Sequence, residues 1–253
     1  MGFPLPATSL CFPKMLGTIL NTIGIIIGAT WGLSSQRQLA TAAQNYLKLT
    51  LGCVTLFFGM KFVWLGLNGS LWQVTGQFII ALLALMIGRL LGRLLRLQKL
   101  SNHLGEVARE EISRTAANAP TWSSGFNTCT ALFCAAPLAV LGAVSDGLSG
   151  HFEPLLIKAV MDGLAAFGFA AMFRWSVIFS AVPVFAYQGT LTLLCVNYAR
   201  PFLEQRNLLD SVMVTDGLLL VFVAVVILEI RKVELADYLP SLALAPLLAW
   251  LWH

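Results

Sequence analysis

The sequence predicts an all-α membrane protein that crosses the bilayer about eight times. Apolar residues make up 58% of the 253 residues, only 11% are charged, and the mean hydropathy is +0.80. These values lie far outside the range of water-soluble domains. Long apolar stretches follow one another with short polar connections, so most of the chain is predicted to lie in the bilayer.

Eight stretches are long and apolar enough to span, and one hydrophilic segment, 96–120, is predicted to form an amphipathic surface connector. The weakest division is at "FRWS" (173–176). A re-entrant or broken arrangement there would leave seven spans. The predicted spans are 15–33, 46–67, 72–95, 124–145, 155–173, 175–198, 211–230 and 239–252.

The distribution of Lys and Arg predicts that both chain termini lie outside the cytoplasm. With eight spans, eleven of the 16 basic residues fall in the cytoplasmic loops and five on the outer side, in accord with the positive-inside rule. All seven Trp residues lie near predicted span ends, where the bilayer interface favours them.

The chain is predicted to be one membrane domain, residues 15–253, preceded by a short extension, residues 1–14. The alternative, a signal peptide, fits poorly, because Lys14 is the only basic residue of the extension and no small-residue cleavage pattern follows the apolar run.

Several classes of protein are disfavoured by the motifs. The five Cys and three His residues have no metal-ligand spacing, so no metal or cofactor site is predicted. Signatures of zinc proteases, serine hydrolases, P-loop proteins and dinucleotide-binding enzymes are missing, and we expect no enzyme activity. The basic residues flank apolar segments, which argues against a nucleic-acid partner.

A weak internal repeat relates the first three predicted spans to the last three. A shift of 165 residues places Gly24 on Gly189, Thr50 on Thr215 and Gly52 on Gly217. A genuine repeat of this kind would be inverted, an arrangement common in secondary transporters but not restricted to them.

Small residues line one face of the first span. Gly17, Asn21, Gly24, Gly28 and Gly32 follow steps of three and four residues. This pattern predicts close approach of another helix, in the same subunit or across a homodimer. A pore or substrate-facing surface is the alternative.

Two charged residues lie inside the fifth predicted span. Lys158 and Asp162 are four residues apart and share a helix face. If the helix begins near Glu153, Asp162 lies about 13 Å deep, near the bilayer centre. A charge there costs about 3 kcal/mol, so the pair either locks helices together or lies on an ion path.

Further polar groups could converge with this pair. Asp146 follows the fourth span, near its outer end. Asp216 lies near the start of the seventh, where a helix-start role and an ion site are the two alternatives. Pro137 and Pro183 interrupt spans and free backbone carbonyls. Tyr187 and Gln188 supply a hydroxyl and an amide one turn after Pro183.

The sequence also resembles a known family. "MLGTILNTIGIIIGATWG" (15–32), "LFCAAPLAVLGAVSDGLSG" (132–150), "LLIKAVMDGLAAF" (155–167), "FSAVPVFAYQGTLTLL" (179–194) and "LPSLALAPLL" (239–248) resemble the YqgA/YdfK-type bacterial inner-membrane proteins, a domain family of unknown function. The resemblance implies a multi-pass location in the bacterial inner membrane, and the family has been labelled a sodium channel or pump. Pro137 and Asp216 depart from the family pattern. Its characteristic positions correspond to Asp146, Gly147, Lys158, Asp162, Gly163, Pro183, Tyr187, Gln188 and Gly189.

Together these observations favour a transporter or channel for a small cation, Na⁺ or H⁺. Asp162 would be the midplane carboxylate, Lys158 its charge partner or competitor, and Asn21, Tyr187 and Gln188 neutral ligands. The alternative is a membrane organiser or assembly factor that transports nothing. The predicted partners are the lipid bilayer, a small cation and a second copy of the chain.

Overall fold

The computed structural model describes residues 15–35, 40–117 and 121–252, without the side chains of residues 115–117. These residues form helices and connecting turns, with no β-strand among them. The all-α prediction is therefore confirmed. The predicted extension, residues 1–14, lies outside the described residues.

Thirteen α-helices are present in the described ranges, and a π-helical turn, Cys195–Ala199, joins the ninth to the tenth. The helices are α1 (Leu16–Ser34), α2 (Thr41–Gly66), α3 (Leu71–Leu94), α4 (Leu97–Ala117), α5 (Trp122–Ala135), α6 (Pro137–Ser149), α7 (Glu153–Phe173), α8 (Ser176–Phe179), α9 (Ala181–Leu194), α10 (Arg200–Gln205), α11 (Leu209–Ile227), α12 (Leu235–Tyr238) and α13 (Ser241–Trp252).

Seven segments in the described part of the chain are long and apolar enough to cross a membrane. They are α1, α2, α3, α7, the path from Ser176 to Gln205, α11, and the path from Leu235 to Trp252. The division at "FRWS" therefore separates two candidate spans: α7 ends at Phe173, and Arg174 adopts a positive φ of 53°.

The break lies instead in the fourth predicted span. Helices α5 and α6 meet at an angle of 58°, and together they pass as an eighth candidate span. Ala136 is extended, with φ −62° and ψ 128°, and Pro137 begins α6. Proline restricts the preceding residue to extended conformations and lacks an amide hydrogen, which explains the break at this position.

Two pairs of helices pack with close backbone contact. Glycines of α1 face α7, and a Cβ atom on Gly28 would overlap the carbonyl group of Gly163. In the second pair, Gly59 of α2 lies against Gly217 of α11. Small residues allow such close approach, and the resulting van der Waals packing contributes to helix association in lipid.

The connector contains the amphipathic helix predicted for residues 96–120, and this helix is fixed to the bundle. Asp237 accepts a hydrogen bond from the backbone amide of Gln98 at 2.9 Å, and the Gln98 side chain accepts one from the amide of Ala236 at 3.0 Å. Ser101 donates to the carbonyl of Ala135 at 3.2 Å. These bonds hold α4 against α12 and the end of α5.

Ion pairs lie at the two ends of the bundle, which we name by the ends of α7. At the Phe173 end, Lys48 contacts Glu229 at 2.6 Å, and this hydrogen bond and charge lower the pKa of Glu229. At the Glu153 end, Lys61 contacts Glu153 at 3.2 Å.

The outer surface of the bundle is apolar, as expected of a protein that faces lipid. Large side chains such as Trp64, Phe57 and Met86 are well exposed. All seven Trp residues are exposed and lie near ends of the apolar helices. The inverted repeat is not confirmed and stays a prediction.

Candidate functional site

The charged pair of α7 is buried in the bundle. Lys158 Nζ lies 2.6 Å from Asp162 Oδ2, and the two side chains are only 2% and 10% exposed. Helix α7 begins at Glu153, as assumed from the sequence, so Asp162 lies about 13 Å along the helix. The pair is therefore near the middle of the span.

Two amide side chains from other helices complete the site. Asn21 of α1 donates to Asp162 Oδ2 at 3.2 Å and to Gln188 Oε1 of α9 at 3.1 Å. Both amides are fully buried. We call Asn21, Lys158, Asp162 and Gln188 the central cluster. Helices α1, α7 and α9 thus contribute to one polar group within an apolar bundle.

Two atoms of the central cluster have no hydrogen-bond partner. They are Asn21 Oδ1, an acceptor, and Gln188 Nε2, a donor. An unpaired buried polar atom costs about 1–3 kcal/mol, so such atoms usually contact a bound water or ligand. The cluster can therefore accept one more polar species.

A layer of threonines adjoins the central cluster and was not predicted from the sequence. Thr18 and Thr192 place their hydroxyl oxygens 3.4 Å apart, and Thr192 donates to the carbonyl of Ala143 at 3.2 Å. Thr18 precedes Asn21 by three residues and Thr192 follows Gln188 by four. This helical spacing is the signal that could have identified both residues.

Asp146 lies near the end of α6 and is buried, with 6% of its surface exposed. Its Oδ2 atom accepts a hydrogen bond from the backbone amide of Gly17 at 3.1 Å. Gly17 is at the start of α1, where free amide groups favour a carboxylate. A Cβ atom on Gly17 would crowd Leu155 and Asp146, so glycine permits this contact.

Asp216 is in a different position from that expected of a helix-start residue. Helix α11 begins at Leu209, seven residues earlier, which rules out the helix-start role, one of the two alternatives for this residue. Asp216 is 4% exposed. Its Oδ2 atom lies 2.7 Å from the hydroxyl oxygen of Ser145, and its Oδ1 atom has no partner.

Charged and aromatic residues near Asp216 were also not predicted. The His151 ring packs against Phe62 of α2 at an interplanar angle of 33°, with ring centroids 4.3 Å apart, and its Nδ1 atom lies 3.6 Å from Glu153 Oε2. Glu153 also contacts Lys61. We call Lys61, His151 and Glu153 the end cluster. Lys61 comes from α2 and the other two members from the start of α7 and the residues before it, so the sequence did not indicate that the three would meet.

Tyr187 is not part of the central cluster. Its side chain is 37% exposed, and no hydrogen bond in the described residues joins it to the other predicted ligands. Successive helix residues point about 100° apart, so burial of Gln188 directs Tyr187 elsewhere. Its predicted role as a neutral ligand is not supported by this geometry.

The glycine face of α1 is covered by α7 of the same chain. Added Cβ atoms would meet Ala159 at Gly24, Gly163 at Gly28 and Phe167 at Gly32. This face therefore packs within one subunit, and it is not available for a homodimer. Asn21 is the polar member of the row and points into the central cluster.

Comparison with known proteins agrees with the resemblance found in the sequence. The model of a family described as "Protein of unknown function (DUF554)" matches residues 16–250. The chain is 27% identical over 239 residues to "Uncharacterized membrane protein YdfK" of Bacillus subtilis (strain 168), covering 94% of this chain and 97% of that protein. It is 23% identical over 241 residues to "Uncharacterized protein YqgA" of Escherichia coli (strain K12), with the same coverage. No solved structure matches the chain significantly.

Proposed function

The chain belongs to the DUF554 family of membrane proteins of unknown function, and we propose that it moves a small cation, Na⁺ or H⁺, across the bacterial inner membrane. The observation that carries this proposal is the buried Lys158–Asp162 pair with its unpartnered amide atoms. Ionisable residues inside the membrane are costly and usually functional. We assign no catalytic reaction to the site.

In the proposed mechanism, Lys158 and the transported cation compete for Asp162. The ammonium group neutralises the carboxylate when no cation is bound, which avoids an uncompensated buried charge. An entering cation would take the place of Lys158 at Asp162 Oδ2 and gain Asn21 Oδ1 as a second oxygen ligand. Oxygen atoms are the ligands preferred by hard cations such as Na⁺.

The close packing of α1 on α7 can couple this exchange to a movement of the two helices. Asn21 is on α1, whereas Lys158 and Asp162 are on α7. A small shift of either helix would therefore change the distances within the central cluster. Transport by alternating access requires such coupled movement around a midplane site.

The low exposure of the ion pair favours the second candidate function, a membrane organiser. Side-chain exposures of 2% and 10% are those expected of a pair that only locks α7 against α1. In that role the central cluster would stabilise the fold without ever binding a cation. The same burial is compatible with an occluded state of a transporter, so flux must be measured.

The experiment is cation flux into proteoliposomes that contain the purified protein. Na⁺, K⁺, Li⁺ and H⁺ gradients are compared for the wild type, Asp162→Asn and Glu229→Gln. Asp162→Asn keeps the side-chain shape and is expected to abolish flux at equal protein incorporation. Glu229 is exposed and lies outside the membrane-spanning helices, so its substitution serves as the control.

Two results would reject the cation path. The first is full flux from Asp162→Asn, which would show that the carboxylate is not needed. The second is no flux above empty liposomes for any of the four cations from correctly folded wild-type protein, which would favour the organiser.

A further inference from the structure

The hydroxyl group of Ser145 has two hydrogen-bond acceptors within reach. Ser145 Oγ lies 2.9 Å from the carbonyl oxygen of Leu141 and 2.7 Å from Asp216 Oδ2. A serine hydroxyl carries one hydrogen and can donate only one full hydrogen bond. If Asp216 were ionised, the single hydroxyl hydrogen of Ser145 could serve only one of these two contacts. In the other contact, two acceptor oxygen atoms would face each other with no hydrogen atom between them.

A single proton on Asp216 resolves this conflict. A protonated Asp216 Oδ2 donates to Ser145 Oγ, and the Ser145 hydroxyl hydrogen is then free for the carbonyl of Leu141. Both distances suit O–H···O hydrogen bonds. We propose that Asp216 is a proton-binding site of this protein, separate from the central cluster and occupied in this conformation.

The surroundings of Asp216 explain why the proton is expected there and not on a neighbouring carboxylate. Asp162 accepts from the ammonium group of Lys158, Asp146 from the amide of Gly17, and Glu153 is paired with Lys61. Each of these carboxylates has a donor that stabilises its ionised form. Asp216 has only the hydroxyl of Ser145, and its other oxygen atom is buried without a partner.

The charged groups that act on Asp216 belong to the end cluster. The negative charge of Glu153 and the charge of a protonated His151 both act on it, with opposite sign. Other charged groups at this end include Lys61 on α2, Asp146 on α6 and Asp210 in the first turn of α11. The side chains of Lys61 and His151 are 40% and 22% exposed, so water can reach this region from the Glu153 end. We infer that protons are exchanged from the Glu153 end of the bundle.

This site goes beyond the proposed cation path, and its test does not depend on flux. Infrared spectra of the purified protein in lipid, recorded over a range of pH, detect the carbonyl stretch of a protonated carboxylic acid. The wild type is expected to show such a band at neutral pH. Asp216→Asn should remove this band completely, whereas Asp162→Asn and Glu229→Gln should leave it unchanged.

Ser145→Ala provides a second test that does not require an altered Asp216. It removes the oxygen that accepts from the protonated carboxyl group, so the band should remain but shift to higher frequency. Absence of the band from folded wild-type protein at neutral pH would overturn the proposal. So would a band that survives in Asp216→Asn, or one that is insensitive to Ser145→Ala or disappears when Na⁺ is added.

Discussion

Removal of one member of the Lys158–Asp162 pair should be more damaging than removal of both. At the observed separation of 2.6 Å, an effective dielectric constant of about 20 gives an attraction of about 6 kcal/mol. Burial of the two charges costs several kcal/mol each, so the attraction is largely offset. The intact pair therefore contributes little net stability, but either charge would be strongly destabilising if it were buried without the other.

The loss in free energy of unfolding depends on which charged group remains buried after each substitution. Lys158→Met leaves Asp162 buried, with Asn21 as its remaining donor. Leaving one charge of a buried pair without its partner costs about 3–5 kcal/mol. The double variant Lys158→Met/Asp162→Leu removes both charges and should recover most of this loss. The expected coupling energy is about 3 kcal/mol.

The assay is the free energy of unfolding in detergent micelles, with folded yield measured by size exclusion. Arg200 and Glu204 provide a matched control, because they have the same four-residue spacing and a 2.7 Å contact but are 42% and 47% exposed. Arg200→Met should cost no more than about 0.5 kcal/mol. A double variant that is no more stable than Lys158→Met alone would refute this reasoning.

Two further predictions concern the packing of helices. Gly28→Ala should lower the free energy of unfolding by more than about 2 kcal/mol, because the new Cβ atom meets the backbone of Gly163. As a control, Gly105→Ala on the open face of α4 should raise the free energy of unfolding by about 0.5–1 kcal/mol. A Gly28→Ala protein as stable as the wild type would contradict this close approach of α1 and α7. Asp237→Ala removes the acceptor for the Gln98 amide, so amide hydrogen exchange in α4 should become faster, beginning at Gln98, while α7 stays protected. Unchanged exchange in α4 would show that the hydrogen bond between Gln98 and Asp237 does not hold the helix.

The positions of the membrane helices could be predicted from the sequence because lipid imposes a simple rule. Each span needs roughly 20 apolar residues, and polar loops must lie between them. The break within the fourth span was harder to place. The sequence predicts an interruption at Pro137, but it does not indicate that α5 and α6 bend by 58° there.

The central cluster was partly predictable for a similar reason. The four-residue spacing placed Lys158 and Asp162 on one face, and the presence of polar residues within apolar stretches marked Asn21 and Gln188 as candidates. The arrangement around Asp216 was not predictable, because Ser145 and the end cluster come from other elements of the fold. Their contacts depend on tertiary packing, which no local pattern encodes.

The bent pair α5–α6 decides the number of crossings, and the contacts favour a full crossing. Gly125, near the start of α5, packs against Phe173 at the end of α7. His151, just after α6, packs against Phe62 and contacts Glu153 at the start of α7. The pair therefore runs from one end of the bundle to the other, whereas a re-entrant loop would return to the end from which it entered.

Eight crossings make a prediction that reporter fusions can test. The connector α4 lies at the Phe173 end, and the eighth span ends at Trp252, at the opposite end if every span crosses. The excess of Lys and Arg predicts that the Phe173 end faces the cytoplasm. A reporter inserted near Arg109 should be cytoplasmic, and one fused after the last residue should be outside. Detection of both in the same compartment would mean that α5–α6 fails to cross, and the chain would then have seven spans.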